Sequence, residues 1–146
     1  MKISTRVIAA TAFLGLAGCA SIKPVEQHDE NAIISSYTKA YNDRDITAMS
    51  ALMHSDIQWL SVEGDQITVV ADGKVDLVAQ MTDYVASPTA TTSTLDGSIA
   101  DGPFFAVREI ASWPGADGST AEQSALAIYE VSDGLILRVW YYPATQ

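Results

Sequence analysis

The sequence predicts an α+β domain with helices packed on one face of a curved, mostly antiparallel sheet, and three observations carry that reading. The first is element order, which runs helix, helix, hairpin, helix and then four strands in meander. The second is the closing stretch Glu122–Tyr142, where two β-branched and aromatic runs flank Asp133-Gly134, a pair that accepts the positive φ angles of a tight turn. The third is that both faces of this hairpin are apolar. Ala125, Ala127, Tyr129 and Val131 alternate onto one face with Leu137, Val139 and Tyr141; Leu126 and Ile128 share the other with Ile136, Trp140 and Tyr142. A sheet with one wet face would show polar residues at every second position, so something covers each side. Helices cover one face, and a second copy of the chain is expected on the other.

The chain has 146 residues, which suits one domain behind a targeting segment. Lys2 and Arg6 precede an apolar run, Val7 to Ala17, too short to span a bilayer. Residues 1–18 therefore read as a signal peptide. Leu16-Ala17-Gly18-Cys19 resembles the lipobox of bacterial lipoproteins, which implies that Cys19, the only cysteine, is lipidated and heads the mature chain. Ala20 after it implies the outer membrane, facing the periplasm. Residues 19–28, with Pro24, read as a tether and 29–146 as the folded domain. After residue 18 the chain keeps 6 basic against 18 acidic side chains, a formal charge of −12. Such a surface repels phosphates, which argues against nucleic acid and leaves membrane attachment to the lipid.

From Asp29 the apolar spacing is helical, with Ile33, Ile34, Tyr37, Ala40 and Tyr41, and it ends at Asn42-Asp43-Arg44. Asp45 caps a second helix with Ile46, Met49, Leu52 and Met53 as its stripe, closed by His54-Ser55-Asp56. Ile57–Val62 and Gln66–Val70 form a hairpin around Gly64-Asp65. Asp72 is placed to cap a third helix, Lys74–Ala86, with Val75, Val78, Met81 and Val85 on its buried side. Ser87–Thr94 reads as a mobile linker without chemistry. Strands at about Ser93–Ala100 and Phe104–Trp113 lead to the final hairpin.

The segment Y-x-x-A-Y-N-D-R-D-I-x-A-M-x-A-L-M-x-S-D-I-x-W (Tyr37–Trp59) and the closing Y-E-V-S-D-G-L-I-L-R-V-W-Y-Y resemble the nuclear-transport-factor-2-like superfamily, nearest its SnoaL-like branch. The resemblance covers roughly residues 29 to 143. It implies a cone-shaped α+β barrel in which three helices and a strongly bent sheet enclose a pocket, often dimerising through the outer sheet face. Enzymes and non-catalytic binders share this shape, so it specifies little chemistry. Aligned on the superfamily's ketosteroid isomerases, Tyr37 falls at their Tyr position, Ser61 at the general base and Ala127 at the second acid. An ordinary hydroxyl does not abstract a carbon acid's proton and a methyl donates no hydrogen bond, so that proton shuttle is not expected.

Other polar groups are candidates. Phe105, Val107, Glu109, Ala111 and Trp113 share a strand face; turned inward, Glu109 is a carboxyl in an apolar wall and a usable acid or base, and turned outward it is solvated. Glu63, on the Ser61 face, stands in for the missing base or is simply a turn residue. Tyr37 and Tyr41 need partners for their hydroxyls, and Trp59 supplies a flat apolar wall. His54 reads as structural, and neither a metal centre, a cofactor nor a nucleophilic triad is expected. The leading expectation is a pocket lined by Trp59, Ser61, Tyr37, Tyr41, Glu109, Tyr129 and Val139 that binds a small hydrophobic or weakly polar molecule. The alternatives are an isomerase, cyclase or dehydratase using Glu109 or Glu63 as base and Tyr37 as donor, and an envelope interaction protein whose important surface lies near Trp140.

Overall fold

The computed structural model describes residues 30–144, and the signal peptide, the Cys19 lipidation and the tether lie outside those residues. Helix α1 spans Glu30–Asn42 and buries Ile34, Tyr37 and Ala40, three residues apart on one stripe. It stops at Arg44, which adopts a left-handed φ of 60°. Asp45 then caps α2, Ile46–Ala51, its carboxylate accepting the Ala48 N–H at 2.9 Å. The second helix is shorter than its apolar stripe implies: Met53 and His54 begin strand β1, Met53–Glu63, and do not close the helix. The strand takes over because the Met53 backbone pairs with Ile136 across the sheet and the Ile136 N–H donates to the Leu52 carbonyl at 2.9 Å.

β2, Gln66–Asp72, returns antiparallel to β1, and α3 follows at Lys74–Ala86. Its N-cap is Gly73, not Asp72, and no side chain caps it; the Gly73 N–H is tied to the Ile57 carbonyl at 2.7 Å instead. Its buried face also differs from the expected one. Val75 is 87% exposed and Leu77 takes the core position, while Val78 and Met81 pack against the core as expected. β3 (Thr92–Asp101), β4 (Phe104–Pro114), β5 (Thr120–Ser132) and β6 (Leu135–Pro143) complete a six-stranded sheet of order β2-β1-β6-β5-β4-β3. All pairs are antiparallel except β1 with β6. The α+β architecture with helices on a strongly bent, mostly antiparallel sheet is as expected.

The final hairpin forms around Asp133 (φ 53°) and Gly134 (φ 74°). Its faces are as expected up to Leu137, where the register slips: Glu130 pairs with Arg138 but Val131 pairs with Ile136. The extra residue inverts the alternation beyond it. Ile136 is therefore fully buried in the core with Val131, and does not join Trp140 on the outer face.

The core lies between helices and sheet, where Ile34, Tyr37, Met49 and Leu77 meet Ile57, Phe105, Tyr129 and Val139. The opposite face of the sheet carries a continuous apolar row. Val69 pairs with Leu60, Leu60 with Trp140, Trp140 with Ile128, Ile128 with Ala106 and Ala106 with Ile99, one residue from each strand. The neighbouring row is polar and self-satisfied: Arg138 donates to Glu130 at 2.8 Å and to Gln58 at 3.1 Å, and Gln58 donates to Asp72 at 3.0 Å.

Candidate functional site

Between α1, α3 and the concave face of the sheet lies a partly enclosed cavity of about 580 Å³, within the range of small-molecule sites. Six aromatic side chains form much of its wall: Tyr37, Tyr41, Trp59, Tyr84, Trp113 and Tyr141. Trp59 and Tyr141 lean together with centroids 6.1 Å apart, and Tyr41 stacks on Tyr84 at 6.3 Å. Strand alternation places Glu109, Ala111 and Trp113 of β4 on the same inward face. The open question about Glu109 is thus decided by the sheet, which turns it inward.

Glu109 accepts a 2.6 Å hydrogen bond at Oε1 from the Tyr129 hydroxyl. Burial raises its pKa above the ordinary carboxylate value, and the Tyr129 bond offsets only part of that. Burial and then the Glu109 charge likewise raise the phenols of Tyr37 and Tyr129, and push Tyr141 up to about 12. All three remain protonated through the physiological range. The Tyr37 hydroxyl and the Ser93 hydroxyl are buried beside the cavity with no partner among the described residues. Groups of that kind cost about 1–3 kcal/mol when left unmatched.

The segment Ser87–Thr94 is not a linker without a role, because Thr89, Thr91 and Ser93 all line the cavity. It is fastened from three directions. The Thr91 hydroxyl bonds the Tyr41 hydroxyl at 2.8 Å and that of Tyr84 at 3.2 Å, and Arg44 Nη2 donates to the Ala90 carbonyl at 3.0 Å. Asn42 binds Ser93 at two points, Nδ2 donating to its carbonyl at 2.7 Å and Oδ1 accepting its N–H at 2.8 Å. Asn42→Ala should therefore cost about 2 kcal/mol, from two lost bonds and two stranded backbone groups, measured as a lower urea midpoint at unchanged m.

Several expected site residues are elsewhere. Glu63 is exposed at the tip of β1, beside the turn and paired with Gln66, too far along the strand to serve the cavity as a base. Ser61 is half-buried next to Tyr141 and does not line the wall, since the cavity is closed off at Trp59. Val139 is fully buried core behind it, and Tyr129 reaches the site only through its bond to Glu109. Tyr37, Tyr41, Trp59 and Glu109 do meet. Among the described residues no group of His, Cys, Asp and Glu is arranged to hold a metal. The alternation that includes Glu109 also pointed to Trp113; nothing local pointed to Ser93 or Thr91.

A bent sheet wrapped around a cavity and closed by three helices defines the nuclear-transport-factor-2-like cone fold. Within that class the chain belongs to the SnoaL-like domain family, whose model matches residues 34–139. Among solved structures, a Kribbella flavida protein described as a suspected ketosteroid isomerase superposes with TM-score 0.66 over 81% of this chain and 79% of that one, at 22% identity. TerC, co-crystallised with polyporic acid, gives 0.64 over 79% and 91% at 18% identity. A de novo designed protein with a curved β-sheet gives 0.63 over 81% and 87% at 12% identity. At these identities the likeness establishes the fold alone. No curated protein matches the sequence significantly.

Proposed function

We propose that the domain binds a small, mostly apolar molecule in the cone cavity, one polar end of which meets Glu109, Tyr37 and Ser93. The observation that carries this reading is the pair of buried, unpartnered hydroxyls in an aromatic-walled space of about 580 Å³. Binding of this kind takes its affinity from the rings and its orientation from the few polar atoms. A thermal-shift and native mass-spectrometry screen of neutral and charged aromatic compounds tests it. Hits that vanish in Trp59→Ala support it; a chain that responds to no compound of this size class would sink it.

The same proposal places the domain in the bacterial envelope, lipid-anchored through Cys19 at the outer membrane and facing the periplasm. The sequence Leu16-Ala17-Gly18-Cys19 supports this part, and the mass of the mature amino terminus tests it, an unmodified Cys19 being the contrary result. It further has two copies meeting through their outer sheet faces. The apolar row from Val69 to Ile99 supports that, together with the exposure of Ile99 (75%) within it and of Leu126 (46%) nearby. Some charges on this face are paired within the chain, Arg108 with Asp96 at 2.9 Å and Arg138 with Glu130 at 2.8 Å, while Asp101, beside Ile99 and Phe104, has no basic partner among the described residues. Trp140→Asp should convert a dimer to a monomer in light scattering at micromolar concentration; a wild-type monomer would count against the arrangement.

A second reading is favoured by the Glu109–Tyr129 bond, which engages Oε1 and leaves Oε2 without a side-chain partner among the described residues. In it Glu109 is a general base and Tyr37 donates to a developing oxyanion, as in an isomerase, cyclase or dehydratase. Its test is solvent-deuterium incorporation at the α-carbon of an enolisable ketone. Loss of at least 100-fold in Glu109→Gln with unchanged ligand affinity would favour catalysis; no exchange by the wild type would leave simple binding.

A further inference from the structure

The cavity has an uneven charge balance. Among the described residues Glu109 is the only carboxylic acid in its wall, and no lysine, arginine or histidine lines it. Among the described residues no cation pairs with Glu109, whose one side-chain bond comes from a neutral phenol. A half-buried carboxylate in that position has given up part of its water without gaining a counter-charge, and burial accordingly raises its pKa. Arg44 lies 5.4 Å from the Tyr41 ring centroid but is not part of the cavity wall, and its Nη2 is engaged by the Ala90 carbonyl.

The rest of the wall is what an organic cation would meet favourably. Two indoles and four phenols present π-systems, whose negative faces attract cations, tryptophan most strongly. The hydroxyl oxygens of Tyr37, Ser93 and Thr91 have lone pairs able to accept from an N–H donor. The chain as a whole carries a formal charge of −10, a field that draws cations in and disfavours anions. An anionic ligand would face Glu109 with no basic residue to balance it. A neutral one would leave the carboxylate uncompensated.

We propose that the cavity ligand is an organic cation, a protonated or quaternary amine on an apolar or aromatic skeleton, with its charge held between Glu109 and the surrounding rings. This rests on the binding reading above and narrows it to one chemical class. No covalent step is involved.

The test uses a charge-for-carbon pair of the same shape, benzyltrimethylammonium and neopentylbenzene, with the full chain in detergent and tryptophan fluorescence as readout. The cation is expected to bind at least tenfold more tightly than the hydrocarbon. Glu109→Gln should reduce cation affinity about tenfold and leave the hydrocarbon's unchanged, and Trp59→Leu should weaken both. Circular dichroism and thermal melting confirm that each variant is folded; should Glu109→Gln not fold, Trp59→Leu and the wild-type comparison decide. Equal or tighter binding of neopentylbenzene overturns the cation inference and leaves the cavity reading standing. Cation binding that neither variant changes places it on the acidic surface and also overturns the inference. Binding of neither compound overturns both readings together.

Discussion

Tyr129→Ala is expected to lower the unfolding free energy by about 3–5 kcal/mol, a cost on the scale of removing any large buried ring. Tyr129 is fully buried at the centre of the sheet, paired with Phe105 on β4 and Val139 on β6. Its ring fills space that helix and sheet residues on fixed backbones cannot collapse to fill. For a domain of this size the melting temperature should fall by roughly 10 °C or more. Tyr129→Phe separates packing from polarity. It keeps the ring and removes the hydroxyl that donates to Glu109 at 2.6 Å, and about 1–3 kcal/mol should be lost at neutral pH. The loss should shrink in acid, where Glu109 is protonated and the bond no longer serves a charge. A phenylalanine variant as unstable as the alanine variant would mean that the hydroxyl, not the ring, dominates.

Glu109→Gln should change the pH dependence of stability more than any other single substitution in the wall. Burial raises the folded carboxyl's pKa above its ordinary 4.5, so the folded state holds the proton more tightly than the unfolded chain does. Below that ordinary value Glu109 is neutral in both states and costs nothing extra. As pH rises from there through the raised folded value, the unfolded chain releases its proton first and wild-type stability falls; above that window the penalty is constant. Glutamine can still accept from Tyr129 and has no charge to desolvate. The variant should therefore gain on the wild type across the window, and be at least as stable at neutral pH. Urea unfolding of both proteins at several pH values checks it, and a difference that stays flat with pH would show that Glu109 titrates as a solvated group.

Period and turn chemistry were sufficient for the architecture. The stripe Ile34, Tyr37, Ala40, the Asp45 cap and the Asp133-Gly134 turn are local features whose physics acts within a few residues, and each formed where the sequence placed it. The final hairpin also formed with two apolar faces, except that the bulge at Leu137 turned Ile136 from the expected outer face into the core. Of the site, Tyr37, Tyr41 and Trp59 were legible as candidates for the pocket, and Glu109 as a residue type whose face the sequence left open. Ser93 and Thr91 were not, because their place in the wall depends on Asn42, some fifty positions away in the chain, holding the Ser93 backbone at both its polar atoms.

The sequence by itself determined the order of elements, the alternation along the strands and the existence of an apolar outer row. Only the tertiary structure decided that Glu109 faces the cavity and Glu63 does not, that Leu137 is the extra residue sending Ile136 into the core, and that Leu77 replaces Val75 under α3. The physical reason is one of range. Backbone period, capping and turn preference are settled by neighbours along the chain, whereas register, bulges and helix rotation are settled by which residues far apart can be packed without voids and with their polar atoms paired.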